Sequence, residues 1–499
     1  MTVSSMRRHA LIVAASIFVW PMAASNGRTQ SLDSAEAELT DRLKSILSDP
    51  VLNEAMVGVH VRSITDNKTL FSRNETRLFN PASNVKLVTT AAALWFLGPN
   101  YRFKTVVYRD RGLKEGIVNG NLYIKGHGDP TLTNESIFGL VNEIALRGIK
   151  KVEGDLIVDD SFFDDVYEGP GWEQEESDQS YAPPVSGLAT NYSTFRVLVM
   201  PGPHIGSSAE VSVFPPVPSI KVATTAKTRG RRTAARLWMG TSWEKDGSIG
   251  VTVRGRLPVN HYGGASYYKR VQHPTKYAGE VLAEFLRLRG IEVTGKVRLG
   301  VVQPEKVVPI VTHYSKSLTT VVNTLNKYSN NFIAEQILKT MGAEIIGSPG
   351  TWEKGCEVVG RYLSEIGIEK DSFVLGNGSG LNDINRLTPI QVTKVLEAMY
   401  KHFELRAEFV SSLAVAGVSG TITRRFSEGA AQSRLRAKTG SLTGVSALSG
   451  YVITKDNRVL VFSVMMNDYD GRARRMWNVQ DDIGNALADY ENSHIAAKP

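Results

Sequence analysis

Ser83 and Lys86 stand three positions apart in Asn80-Pro81-Ala82-Ser83-Asn84-Val85-Lys86. On a helix that spacing puts a hydroxyl and an amine on one face of one turn. A serine hydroxyl is a weak nucleophile at neutral pH and needs a base within hydrogen-bond reach. A lysine serves when burial or neighbouring cations disfavour its charged form. The bare Ser-x-x-Lys pattern also occurs at Ser242–Lys245 and Ser266–Lys269, so context must choose among the three. Only Ser83 opens an Ala/Leu-rich run, Leu87 to Leu97, with Pro81 before it and Gly98-Pro99 after it. That punctuation predicts a helix.

Two further short motifs follow in order. Ser329-Asn330-Asn331 lies between two stretches of helical periodicity. Ser329 is placed to relay a proton to a leaving amine, and Asn331 to hold a peptide with its two-sided amide. Taken alone, the tripeptide reads as a Ser/Asn helix cap. Lys438-Thr439-Gly440-Ser441 stands at the start of a strand pair. Lys438 supplies positive charge, the hydroxyls of Thr439 and Ser441 suit a terminal carboxylate, and Gly440 lets a substrate lie against the strand edge. The backbone N–H groups of Ser83 and Ser441 are the candidate oxyanion hole. Taken alone, this segment is a turn with a solvated lysine.

Ser-x-x-Lys, Ser-x-Asn and Lys-Thr-Gly in that order resemble the motif set of penicillin-recognising serine enzymes. The chain is similar to the class C penicillin-binding proteins, D-alanyl-D-alanine carboxypeptidase/endopeptidases of the peptidase S13 type, over nearly all of its length beyond the first 25 residues. The 246 positions between Ser83 and Ser329 leave room for the large insertion of that type. Gly126-His127-Gly128-Asp129-Pro130, Gly154 to Asp160 before Gly169-Pro170-Gly171-Trp172, and Gly378-Ser379-Gly380-Leu381 with Thr388-Pro389 resemble further family segments. Asn377 departs from the usual aspartate, and Asn382-Asp383 from the usual Ser-Arg. The resemblance implies a β-lactamase-like transpeptidase fold, an antiparallel sheet flanked by helices, with one or two β-rich inserted subdomains. It implies a serine DD-peptidase acting on peptidoglycan stem peptides through an acyl-enzyme on Ser83, and inhibition by β-lactams. Ser83, Lys86, Ser329, Asn331 and Lys438 would carry the chemistry, and Thr439, Gly440 and Ser441 would bind substrate. A β-lactamase or esterase using the same site, and a catalytically silent peptidoglycan-binding homologue, are the competing readings.

Length and composition set the frame. At 499 residues the chain exceeds one ordinary domain. Arg7-Arg8, the apolar run Ala10 to Trp20 and Ala23-Ala24-Ser25 read as an export signal over 1–25, predicting a periplasmic location. A retained anchor is the alternative. Cys356 is the single cysteine, so an internal disulfide is impossible, and its helical setting predicts a buried small hydrophobe. No cofactor is expected. The histidines lack zinc spacing, and the acids Asp155, Asp159, Asp160, Asp164 and Asp165 lack the glycine and terminal glutamate of a calcium loop, so they read as surface acids.

The net charge is +8, and +6 without Arg7 and Arg8. Lys221, Lys227, Arg229, Arg231, Arg232 and Arg236 fall in one stretch without an acid. Nucleic-acid binding would interleave aromatics there, and only Trp238 is near. The stretch reads as a solvated basic loop, with peripheral contact to membrane or cell wall as the sharper reading. Nothing in the sequence sets an oligomeric state.

Periodicity divides the chain into a catalytic domain of residues 26–102 and 313–499, and inserted β-rich subdomains over 103–312. Helices are predicted near Ser34–Leu47, Ala278–Arg289, Leu318–Met341, Gly355–Gly367 and Ile390–His402, with one at the C-terminal end carrying Met476, Ile483 and Leu487. Strands are predicted at Met56–Ile64, Ser446–Ile453 and Val459–Met466, with seven more between Phe103 and Val302.

Overall fold

The computed structural model describes residues 26–172, 178–244 and 247–491. The export-signal reading of residues 1–25 lies outside them. Among the described residues no helix is long and apolar enough to cross a membrane.

A six-stranded antiparallel sheet carries the site. Its order is Ala414–Val415, Leu435–Leu442, Val445–Ile453, Val459–Asn467, Met56–Ser63 and Lys68–Arg73. Both ends of the chain therefore build one sheet. Val445–Ile453 is buried along nearly its whole length, and Val459–Asn467 likewise. A strand covered on both faces loses the apolar–polar alternation. One cover is the pair of helices Asn26–Ile46 and Ala473–Asp489, whose Leu39, Leu43, Met476, Ile483 and Leu487 meet Val464 and Leu448 of the sheet. The other is the cluster of helices Val85–Leu97, Leu318–Tyr328, Asn331–Met341, Trp352–Glu365 and Pro389–Lys401.

Helix Val85–Leu97 is buried from Val85 to Leu94, so it is apolar all round apart from Lys86 and its threonines. A helix of that composition belongs in a core. It ends at Gly98, whose φ of 80° suits glycine. The helical stretch Leu318–Met341 is two helices divided at the Ser329-Asn330-Asn331 motif, as the motif's place between two helical stretches implies, because Ser329 takes a left-handed φ of 57° between them. Asn330 then restarts the helix by accepting a hydrogen bond from the Ile333 N–H at 2.9 Å.

Residues 104–314 build four smaller sheets. The first orders Val297–Leu299, Leu156–Asp159, Leu122–Gly126, Lys104–Asp110 and Val307–Tyr314. Lys104 pairs with Tyr314, so the segment leaves the helical layer and returns to it side by side. Helix Pro274–Leu288 packs on this sheet near the expected place. Helix Asn134–Leu146 was not foreseen; Ile137, Leu140, Val141 and Ile144 give it one buried face.

Two expectations need correction. The basic stretch from Lys221 to Arg236 is mostly strand rather than loop: Ile220–Thr224 and Lys227–Arg229 are strands, Arg236 begins the strand Arg236–Trp243, and only Arg231 and Arg232 of its cations lie in a turn. Its alternation is hidden because the solvent face also carries Ala223, Trp238 and Gly240, and Val222 on the other face is itself exposed. The acidic stretch is a set of surface acids only in part: Asp165 is exposed, and the other four are engaged. Asp159 is buried against Lys125 and the Val302 N–H, Asp155 pairs with Arg298, and Asp164 pairs with the buried Lys339. Asp160 accepts from Tyr167 and Thr275. These acids are structural partners. Among the described residues no group of three or more His, Cys, Asp or Glu side chains is arranged to hold a metal ion. Cys356 sits on helix Trp352–Glu365, with burial pushing its thiol up to about 12.

Candidate active site

The chain approaches Ser83 through a tightly held turn. Asn80 exchanges hydrogen bonds with Asn467 in both directions, and its Oδ1 accepts from the Ala82 N–H at 2.9 Å. Ala82 has a φ of 44°, a left-handed geometry that costs a non-glycine residue of order 1 kcal/mol and survives only where the surroundings impose it. Two glycines make room for the turn. A Cβ on Gly380 would meet the Ala82 carbonyl oxygen at 1.9 Å, and one on Gly440 would meet the Pro81 carbonyl oxygen at 2.8 Å. Gly440 thus lets the strand edge approach the turn that carries Ser83. On the far side, Asn84 donates to Ser449 Oγ at 2.7 Å and ties the turn to the central sheet.

One turn on, Lys86 is completely buried. Its Nζ donates to Ser83 Oγ at 2.9 Å, to Asn331 Oδ1 at 2.7 Å and to the Ser379 carbonyl oxygen at 2.5 Å. Burial lowers the amine from its ordinary range to about 7, opposed in part by the charge of Glu335. When neutral, this amine has two N–H groups and one lone pair. Asn331 and Ser379 take the two N–H groups, which leaves the lone pair for the Ser83 hydroxyl proton.

Ser329 and Asn331 arrive together at the junction of the two helices. Asn330 supplies the helix cap, and Asn331 is free to face Lys86. The Asn331 amide also donates to the Tyr181 carbonyl at 2.8 Å, so one of its N–H groups is engaged and one remains for a ligand. Lys438 is buried on strand Leu435–Leu442 and donates to Ser329 Oγ at 2.7 Å and to the Thr439 carbonyl at 2.9 Å. Burial first, and the charge of Lys86 second, hold it well below the ordinary lysine range. Ser83, Lys86, Ser329, Asn331 and Lys438, drawn from three distant segments, thus meet through hydrogen bonds. Thr439, Gly440 and Ser441 continue from Lys438 along the strand edge.

A cleft of about 760 Å³ lies along Thr439, Gly440 and Ser441, bounded opposite by Thr421, Arg424, Arg474 and Trp477. Thr439 Oγ1 donates to Thr421 Oγ1 at 2.9 Å. Arg425 is committed to Asp481 at 2.6 Å. Arg424 and Arg474 make no side-chain ion pair or hydrogen bond among the described residues and give the cleft its positive charge. A second cleft, about 510 Å³, lies beyond Leu442 and is lined by Asn80, Asn382, Asp383, Arg386 and Asp468.

Sequence reasoning missed the shell around Lys86. Glu335, fully buried, accepts from the N–H groups of Gly378 and Ser379 at 2.9 and 2.8 Å, and from Trp352 Nε1 at 3.0 Å. It fixes the carbonyl that Lys86 uses. The available signal was an acid, Glu335, within the mostly apolar run Phe332 to Leu338. Asn377 fills the place of the expected aspartate with a reason of its own. Its Oδ1 accepts from the Gly380 N–H at 2.8 Å, and its Nδ2 donates to the Leu381 carbonyl at 3.0 Å. A carboxylate could make only the first bond.

The family profile described as "D-Ala-D-Ala carboxypeptidase 3 (S13) family" matches residues 39–489. A D-alanyl-D-alanine carboxypeptidase of Actinomadura sp. (strain R39) is 32% identical, over 97% of this chain and 91% of that one. The crystal structure of penicillin binding protein 4 (dacB) from Haemophilus influenzae superposes with a TM-score of 0.75 at 26% identity, covering 90% of this chain and 97% of that one. The same protein complexed with a novel β-lactam gives 0.71 at 26% identity, over 91% and 99%.

Proposed function

The chain belongs to the D-Ala-D-Ala carboxypeptidase 3 (S13) family and is a serine-type D-Ala-D-Ala carboxypeptidase, and we propose that Ser83 is its nucleophile and Lys86 its general base. The observation that carries this reading is the placement of Lys86 Nζ: 2.9 Å from Ser83 Oγ, buried, with its amine lowered to about 7.

In the proposed reaction Ser83 Oγ attacks the carbonyl of the penultimate D-Ala while its proton passes to Lys86. The oxyanion rests on the backbone N–H groups of Ser83 and Ser441, donors that act most strongly where charge develops. As the C–N bond breaks, the leaving amine takes a proton from Ser329, which Lys438 resupplies from 2.7 Å. The proton held by Lys86 then passes through solvent to restore Lys438; water attacks the ester on Ser83, gives its proton to Lys86, and Lys86 returns it to Ser83 Oγ as the ester C–O bond breaks. Thr439, Ser441 and the guanidinium-lined cleft receive the carboxylate of the leaving D-amino acid. The remaining N–H of Asn331 meets the substrate peptide. The cleft of Asp383, Arg386 and Asp468 offers both signs of charge and suits a stem side chain ending in an amine and a carboxylate.

The same contacts serve a DD-endopeptidase reaction, because the D-centre of a diaminopimelate cross-bridge carries its carboxylate beside the scissile amide. The substrate is the peptidoglycan stem peptide. A β-lactam presents a strained amide and a carboxylate to the same groups and acylates Ser83. Residues 1–25 act as an export signal, and the enzyme works in the periplasm. Residues 26–102 and 313–499 form the catalytic domain, with 103–312 inserted. The test is mass spectrometry of products from purified sacculus: release of D-Ala and of uncross-linked stems by the wild type, and by neither Ser83→Ala nor Lys86→Arg.

A further inference from the structure

The sheet made of Ile220–Thr224, Lys227–Arg229, Arg236–Trp243 and Ile249–Pro258 has one face in a core and one in solvent. Val251, Val253 and Leu257 point inward. Across the other face, Lys227, Arg256 and Arg236 stand in one rung: Lys227 pairs in register with Arg256, which pairs with Arg236. The next rung outward on that face pairs Arg254 with Trp238, the guanidinium lying over the indole at 5.4 Å.

Like charges placed directly opposite on a sheet destabilise it. Three in one rung is therefore a local cost, with no compensating acid. None of Lys227, Arg236, Arg254 and Arg256 has an ion pair among the described residues; Lys227 has only a hydrogen bond to Ser208 Oγ at 3.1 Å. These residues are far from the Ser83 cleft in the sequence, and none lines it.

We propose that this face is a docking surface for an anionic lipid bilayer. The charge complementarity is with phosphate headgroups. Apolar side chains beside the cations favour a bilayer over a soluble polyanion. Trp238 is 57% exposed on the face itself. Two loops hydrogen-bonded to the edge strand Lys227–Arg229 carry Ile205 at 61% and Tyr262 at 79% exposure. Exposed aromatic and aliphatic tips enter the headgroup boundary, and cations hold it electrostatically. A basic residue near an anionic leaflet contributes about fivefold in affinity.

The test is arginine modification by phenylglyoxal, read by peptide mass spectrometry on the full chain. It is run with vesicles of phosphatidylglycerol or of phosphatidylcholine. Reading individual arginines separates this face from any insertion of the apolar N-terminal run. The expected result is protection of Arg236, Arg254 and Arg256 by phosphatidylglycerol alone, lost at high salt. Arg236→Gln with Arg256→Gln should weaken that binding about 25-fold and remove protection at Arg254, with benzylpenicillin labelling of Ser83 unchanged. Equal protection by both lipids, or none by either, overturns the proposal. So does protection by soluble polyphosphate with none by phosphatidylglycerol, which would point to a wall polymer instead. Loss of penicillin labelling in the wild type would count against the catalytic reading and leave this one standing.

Discussion

Lys86 Nζ lies 2.9 Å from Ser83 Oγ with no solvent-exposed surface of its own. Its burial lowers the amine to about 7, and its other two acceptors leave it aimed at one hydroxyl, as the proposed role of base requires. The pH dependence follows. With the amine at about 7, the acylation rate by benzylpenicillin should fall about tenfold per unit as pH drops below that value, because the protonated form has no lone pair. Lys86→Arg, which cannot lose its proton, should acylate about 10²–10⁴-fold slower than the wild-type plateau above pH 7 and show no acid limb of its own. Glu335 raises the Lys86 value, so Glu335→Gln should move the acid limb to lower pH and lower its plateau. An unmoved limb would reduce Glu335 to a packing role. The same shift acts on stability. Between about 7 and the ordinary lysine value of 10.5 the unfolded chain binds a proton that the folded one does not, so stability should rise with pH across that window. Lys86→Met should flatten that rise in urea denaturation.

Neighbouring asparagines should separate cleanly. Asn330 caps a helix and Asn331 holds Lys86. Asn330→Ala should cost about 0.5–2 kcal/mol of stability and leave penicillin acylation near wild type. Asn331→Ala should slow acylation about tenfold or more with a smaller loss of stability. Stopped-flow acylation beside thermal melts reads both, and the reverse pattern would exchange their roles.

Thr439, Ser441, Arg424 and Arg474 line one cleft, which on the proposed reading receives a carboxylate. Hydrogen bonds to a charged group contribute roughly 1.5–3 kcal/mol. A stem peptide ending in D-Ala-D-Ala should therefore exceed its C-terminal amide about 10- to 150-fold in kcat/KM. Thr439→Val, and Arg424→Gln with Arg474→Gln, should each shrink that ratio. Equal hydrolysis of acid and amide by the wild type would favour a general esterase or amidase.

The side chains proposed for catalysis could be picked out in the sequence because each motif is local: Ser83 and Lys86 share one helical turn, and Lys438 to Ser441 one strand. The helical layer and the paired strands Val445–Ile453 and Val459–Asn467 were legible from periodicity and a turn between them. What escaped depends on contacts distant in sequence. Glu335 acts through the backbone of Gly378 and Ser379, and no spacing rule links those positions. Residues 162–189 read as part of an insertion, yet Phe163, Trp172 and Val185 share a core with Val88 and Ile337, and the Tyr181 carbonyl reaches Asn331. The strands from Ile220 to Trp243 were hidden because Ala223, Trp238 and Gly240 share the solvent face with the cations, which breaks the apolar–polar alternation.

The most direct measurement is the intact mass of the protein after benzylpenicillin, followed by proteolytic mapping, for the wild type and Ser83→Ala. The account predicts one penicillin per wild-type chain, on the peptide containing Ser83, and none on the variant. An adduct of equal yield on Ser83→Ala would contradict it and place the nucleophile elsewhere.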